Sequence, residues 1–236
     1  MLGAAREKLI VALDFPSERQ ALDLVDRLED CSTWWKVGLE LYLATGGSIV
    51  AKLRERGYKV FLDLKLHDIP NTVSSAVRVL ADSGASLLTV HAAGGPAMLH
   101  AAARAAAEYV DAPRLLAVTV LTSMDALELK AIGVADPPDA QVERLAAAAL
   151  SAGMSGLICS PLEVNRLRQE HGPKPLLVVP GIRPAGSAKG DQQRTAGPAE
   201  AIRAGASMLV VGRPITQAAK PAEAAEAILH EIAAAL

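Results

Sequence analysis

From Asp63 to Thr72 the chain reads DLKLHDIPNT, directly after the apolar run Val60-Phe61-Leu62. In an extended strand alternate residues share a face, so Asp63 and Lys65 project one way while Leu62, Leu64 and Leu66 project the other. If the leucines pack beneath helices, the acid and the base point into a cavity. Asp68 follows the strand. There Pro70 removes a backbone donor and restricts Ile69, so the chain turns and Asp68 is free to reach sideways out of its own fold. Lys36, near the end of an earlier strand, adds a fourth charge. One isolated Asp/Lys pair is most simply a strut holding a strand end. Four charges are harder to explain that way, because desolvating each ion costs several kcal/mol and apolar replacements are often no less stable. An alternating Lys36, Asp63, Lys65, Asp68 array keeps Lys65 cationic beside whatever binds, which suits protonation of a carbanion as it forms. No metal is expected there, since lysine is a poor ligand. His67 and His91 read as hydrogen-bonding residues rather than catalysts.

A second group of residues points to phosphate. PGIRPAGSAKGDQQRT, from Pro180 to Thr195, is rich in Gly, Ser and Ala, with Arg183 at its base and Gln192 inside it, as expected of a lid. Further on, VVGRPI brings Gly212, where a backbone amide can approach an anion, next to Arg213 with its fork of donors.

The elements that must position these residues are legible as short β-branched runs separated by Ala/Leu-rich stretches. The strands are expected at Leu9–Asp14, Trp35–Leu39, Val60–Lys65, Leu87–His91, Leu115–Leu121, Gly156–Ser160, Leu176–Ile182 and Met208–Arg213. Helical periodicity marks SERQALDLVDRLE, TVSSAVRVLADSG, PAMLHAAARAAAEYV and AQVERLAAAALSAG, with Gly84 and Gly153 near two of the ends. Continuous apolar strands alternating with helices imply a parallel sheet, and eight such units fit a closed (β/α)8 barrel of the TIM type better than an open doubly wound sheet. No linker or break in composition divides residues 1–236, so one domain is expected. In such a barrel the active face lies at the C-terminal strand ends, often with phosphate after strands seven and eight. Asp14, Lys36, Asp63, Lys65, His91, Thr122, Ser123, Ser160, Arg183 and Arg213 all fall in or just past an expected strand, mostly towards that end.

Bulk properties narrow the function class. Hydrophobic residues at 51% and charged residues at 21% match an ordinary globular chain, and aromatics at 3% leave aliphatic residues to fill the core. Lys plus Arg number 24 against 26 Asp plus Glu, a net charge of -2 without a basic stripe, which argues against nucleic acid or an anionic membrane and for a small molecule. Cys31 and Cys159 lack metal-ligand spacing and read as buried thiols in a reducing compartment. The N-terminus carries no signal-peptide pattern, and no apolar segment reaches the roughly 18 residues of a membrane span. A cytoplasmic protein is expected.

The D-x-K-x-x-D pattern in DLKLHDIPNT, taken with IVALD, KVGLELY, LLTVHAAGG, VTVLTS, PGIRP and VGRPI, closely resembles the orotidine 5′-phosphate decarboxylase family, which completes UMP synthesis. The resemblance spans almost the whole chain in order. The D-x-K-x-x-D pattern alone also resembles Mg²⁺-dependent sugar-phosphate lyases on the same barrel, but those carry an acid where this chain has Lys36. The resemblance implies a cofactor-free and metal-free decarboxylase of orotidine 5′-monophosphate, with Lys65 as proton donor to C6 and Lys36, Asp63 and Asp68 completing the charged array. It further implies ribose contacts from Asp14 and Lys36, pyrimidine contacts from Thr122 and Ser123, and phosphate contacts from Arg183, Gln192, Gly212 and Arg213, with Pro180 in the same substrate wall. Asp68, Ile69 and Thr72 would serve the other subunit of a homodimer. Alternatives from the residues alone are the Mg²⁺-dependent lyase and an inactive barrel that binds a phosphorylated ligand.

Overall fold

The computed structural model describes residues 2–28, 30–185 and 194–236. Gln192 and half of the expected lid lie outside them. The parallel strands are β1 (Leu9–Ala12), β2 (Trp34–Gly38), β3 (Lys59–Leu66), β4 (Leu87–His91), β5 (Arg114–Val118), β6 (Gly156–Ile158), β7 (Leu176–Val179) and β8 (Met208–Val211). Each pairs with the next, and β1 pairs with β8, closing a barrel. The (β/α)8 expectation therefore holds.

Strand alternation sorts side chains into two cores. Ile10, Phe61, Leu87, Leu116, Val178 and Val210 fill the barrel interior. Trp35, Val37, Leu62, Leu88, Leu177 and Val211 belong to the larger core that also takes in the buried faces of the surrounding helices. At β6 the interior is tight: a Cβ on Gly156 would sit 2.2 Å from the Leu176 carbonyl oxygen, so only glycine fits.

Several strands are shorter than expected. β1, β5, β7 and β8 stop at Ala12, Val118, Val179 and Val211, whereas the sequence reading extended them to Asp14, Leu121, Ile182 and Arg213. Apolar runs continue beyond the last ladder bond because loop residues over a barrel mouth are also buried, as Val120 and Ile182 are. The shortening matters for function, since it places Asp14, Thr122, Ser123, Arg183 and Arg213 on connections above the barrel. The helix after β3 starts at Pro70, earlier than the expected Thr72, and runs to Ala81. Proline suits the first helical turn, where its missing N–H would have no intrahelical acceptor. The helix after β1 is Glu18–Arg27, and the Ser17 hydroxyl accepts from the Gln20 N–H. The helices expected over residues 96–110 and 140–153 occupy Gly95–Ala107 and Pro138–Ser151.

Candidate active site

The β2–β3 register places Lys36 beside Phe61 and Gly38 beside Asp63, so Lys36 and Asp63 point into the barrel at its C-terminal end. Both are nearly enclosed, at 8% and 9% exposure. Lys36 Nζ lies 2.7 Å from Asp14 Oδ1 and 3.8 Å from Asp63 Oδ2, and Lys65 Nζ lies 2.8 Å from the same Asp63 oxygen. The array within this chain is therefore Asp14–Lys36–Asp63–Lys65. Asp68, read as the fourth member from sequence, does not complete it in cis. Its carboxylate accepts from the Ile69 N–H at 2.6 Å and is exposed, as are Ile69 and Thr72. Parity could not place Asp68, because the chain turns before it.

Lys65 departs from regular strand geometry. Among the described residues it is the only non-glycine with positive φ, at 49°, and the β3–β4 register shifts between Leu62 and Leu66. Such a conformation costs of order 1–3 kcal/mol in a non-glycine residue, and clusters at functional sites where surrounding structure enforces it. Thr89 supplies part of that enforcement. Its hydroxyl accepts from the Lys65 N–H at 2.8 Å and donates to Asp63 Oδ1 at 3.0 Å. Thr89 is fully buried and was missed in the sequence reading; the signal was a lone hydroxyl with inward parity in the apolar strand LLTVH.

Burial by itself would raise the Asp63 carboxyl, but Lys36, then Lys65 and the Thr89 hydroxyl outweigh it and hold the group below the usual aspartate value of 3.8. The Lys36 side chain is 10% exposed against 34% for Lys65, so water screens its charge less, while Lys65 adds a direct hydrogen bond. His91, at the end of β4, has its pKa lowered by burial, then by His67 and Lys65. It stacks on His67 with centroids 5.1 Å apart.

A cavity of about 250 Å³ opens over this array, walled by Lys36, Asp63, Lys65, Thr122, Ser123, Pro180 and apolar residues including Phe61 and Ile158. A second, of about 140 Å³, adjoins it through Lys36, Pro180 and Val210 and is walled by Asp14, Gly181, Arg183, Gly212 and Arg213. The two make one bipartite groove: a charged catalytic-type end and an arginine end. All the described residues expected to bind substrate within one chain line it. A larger concavity, about 1080 Å³, lies at the opposite end of the barrel around Trp34, Lys59, Leu87, Arg114 and Met208, where barrels of this type place stability rather than chemistry. Among the described residues, no group of three or more His, Cys, Asp or Glu side chains is arranged to hold a metal ion.

Comparison with known proteins agrees with this fold. The sequence pattern described as the orotidine 5′-phosphate decarboxylase / HUMPS family matches residues 7–228. The chain belongs to that family. It is 56% identical over 222 residues to an orotidine 5′-phosphate decarboxylase of Anaeromyxobacter sp. (strain K), covering 94% of this chain and 96% of the relative. A Moorella thermoacetica protein of the same name is 50% identical over 234 residues, covering 97% of this chain and 93% of the relative. In three dimensions, the crystal structure of orotidine 5′-phosphate decarboxylase from Lactobacillus acidophilus superposes with a TM-score of 0.83 at 42% identity, covering 96% of this chain and 99% of that one.

Proposed function

We propose that this chain, folded as one barrel domain, decarboxylates orotidine 5′-monophosphate to UMP, with Lys65 protonating C6 and with no metal or cofactor. The observation that carries this reading is the Lys65 ammonium held 2.8 Å from a buried carboxylate in a groove whose other end presents Arg183 and Arg213. Loss of CO₂ from C6 leaves a carbanion with no neighbouring carbonyl to delocalise it, so stabilisation must be electrostatic. A pre-positioned cation does this without reorganisation at the moment of reaction. Lys36 and Asp63 fix Lys65, Asp14 and Lys36 hold the ribose, and Thr122 and Ser123 face the pyrimidine. Pro180, Gly212, Arg183, Arg213 and Gln192 serve the phosphate end. Enzymes lower barriers by about 8–23 kcal/mol. One ammonium falls short of the upper part of that range, so phosphate binding contributes energy remote from the reacting carbon.

The enzyme acts as a homodimer in which Asp68, Ile69 and Thr72 reach the site of a second copy. Their exposure here, with Ile69 at 67%, supports that reading. Two free, buried cysteines fit a cytoplasmic setting.

The D-x-K-x-x-D pattern also resembles a second activity class, the Mg²⁺-dependent sugar-phosphate lyases. Lys36 argues against it, because its ammonium fills the space beside Asp14 and Asp63 that a divalent cation would need. The test is to follow orotidine 5′-monophosphate absorbance with metal-stripped protein in excess EDTA. Undiminished turnover is expected, and activity that appears only with added Mg²⁺ would overturn the reading. Lys65→Ala should lower kcat by about 10²–10⁴-fold or more while UMP binding, read by calorimetry, persists.

A further inference from the structure

A buried ion pair behind the groove joins three of the connections above the barrel. Arg194, midway along the β7–β8 connection, pairs through Nη1 with Glu163 Oε1, and both side chains are about nine-tenths enclosed. The other Glu163 oxygen accepts from the Ser160 N–H at 2.7 Å, just past β6. Arg194 Nη2 donates to the carbonyls of Val120 at 3.1 Å and Leu121 at 2.9 Å, past β5. Thr119, just past β5, bonds the Ile158 carbonyl through both its N–H and its hydroxyl. Beyond it, Val120 and Leu121 lead directly to Thr122 and Ser123.

Neither Arg194 nor Glu163 lines either half of the groove, so neither touches the reacting atoms. Desolvating the pair carries a cost that an apolar pair of the same volume would avoid. What an apolar pair would not supply is a planar fork of donors for two carbonyls and a carboxylate at once. Arg183, at the phosphate end, donates its own N–H to the Ala196 carbonyl at 2.9 Å, a backbone contact that uses neither side chain of the pair.

We propose that the Arg194–Glu163 pair is a positioning device that sets Thr122 and Ser123 over the charged cavity, and so governs how the base of a nucleotide is held without governing how its phosphate is held. The inference rests on the proposed function for the identity of the ligand. Its test compares UMP, which has a base, with ribose 5-phosphate, which does not, by calorimetry on wild type, Arg194→Lys and the double variant Arg194→Met/Glu163→Gln. The double variant removes both buried charges together and so leaves no unpaired ion in the interior. In both variants the UMP Kd should rise about tenfold, the scale of one lost hydrogen bond to a charged group, while the ribose 5-phosphate Kd stays within about twofold. Hydrogen exchange should quicken at residues 120–124 and stay unchanged in β7 and β8. Parallel loss of both affinities, no loss of either, or failure of the variants to fold would each assign the pair to general stability and overturn the proposal. Wild-type turnover of orotidine 5′-monophosphate tests the proposed function separately. If that reading fails, the exchange pattern at residues 120–124 still decides the tether.

Discussion

Asp63 sits between two cations, and its lowered pKa has a defined consequence for stability. A carboxyl whose folded pKa lies below its unfolded value of 3.8 stabilises the fold fully above that pH and loses its contribution as the pH falls from 3.8 through the lower folded value. Acid unfolding of the wild type should steepen in that window, and Asp63→Asn should flatten the slope there, read from melting temperatures across the acid range. The same residue-level logic applies to Thr89, whose one hydroxyl serves both the strained Lys65 backbone and the Asp63 carboxylate. Thr89→Val keeps the shape and removes both bonds, and kcat for orotidine 5′-monophosphate should drop about 10- to 100-fold, with a smaller change in KM. A kcat equal to wild type would show that Lys65 needs no such support.

At the scale of the element, the end of β2 is where sequence and geometry constrain each other most. A Cβ on Gly38 would lie 2.8 Å from Lys36 Nζ and 3.1 Å from Asp14 Oδ1. The backbone at Gly38 has a negative φ that any residue adopts, so glycine is needed there for room alone. The obstructed atom is the tip of a flexible side chain, so Gly38→Ala should fold normally and displace the Lys36 ammonium. A thermal melt close to wild type, together with kcat/KM lower by about 10²-fold, is the expected result, because misplacement near 1 Å costs on that order. The element types were legible beforehand: β4 was read from sequence with its observed limits, and the inward parity of Asp63 and Lys65 held. Strand ends were less legible, since burial over a barrel mouth continues the apolar run after the ladder has stopped. The Arg194–Glu163 tether was invisible, because nothing in the spacing of residues 120, 163 and 194 indicates that they converge.

For the whole molecule, Asp68 stands apart from the Asp14–Lys36–Asp63–Lys65 array, and the proposed homodimer makes a single copy catalytically incomplete. Ile69→Asp places a charge on an exposed apolar side chain at the proposed contact. It should shift the protein to monomer in size-exclusion light scattering and abolish most turnover, while leaving the melt of the individual barrel nearly intact. A fully active monomer would sever Asp68 from the mechanism. By itself the sequence determined the period and order of the strands and helices, the inward projection of Asp63 and Lys65, and the clustering of unusual polar residues at strand ends, because side-chain alternation and local propensity act over a few residues. Only the tertiary structure decided that Asp14 rather than Asp68 completes the array within the chain, that Lys65 is strained, and that Thr89 and Arg194 hold their neighbours in place. Those outcomes depend on barrel closure and register, which bring together side chains far apart in sequence and have no local signature.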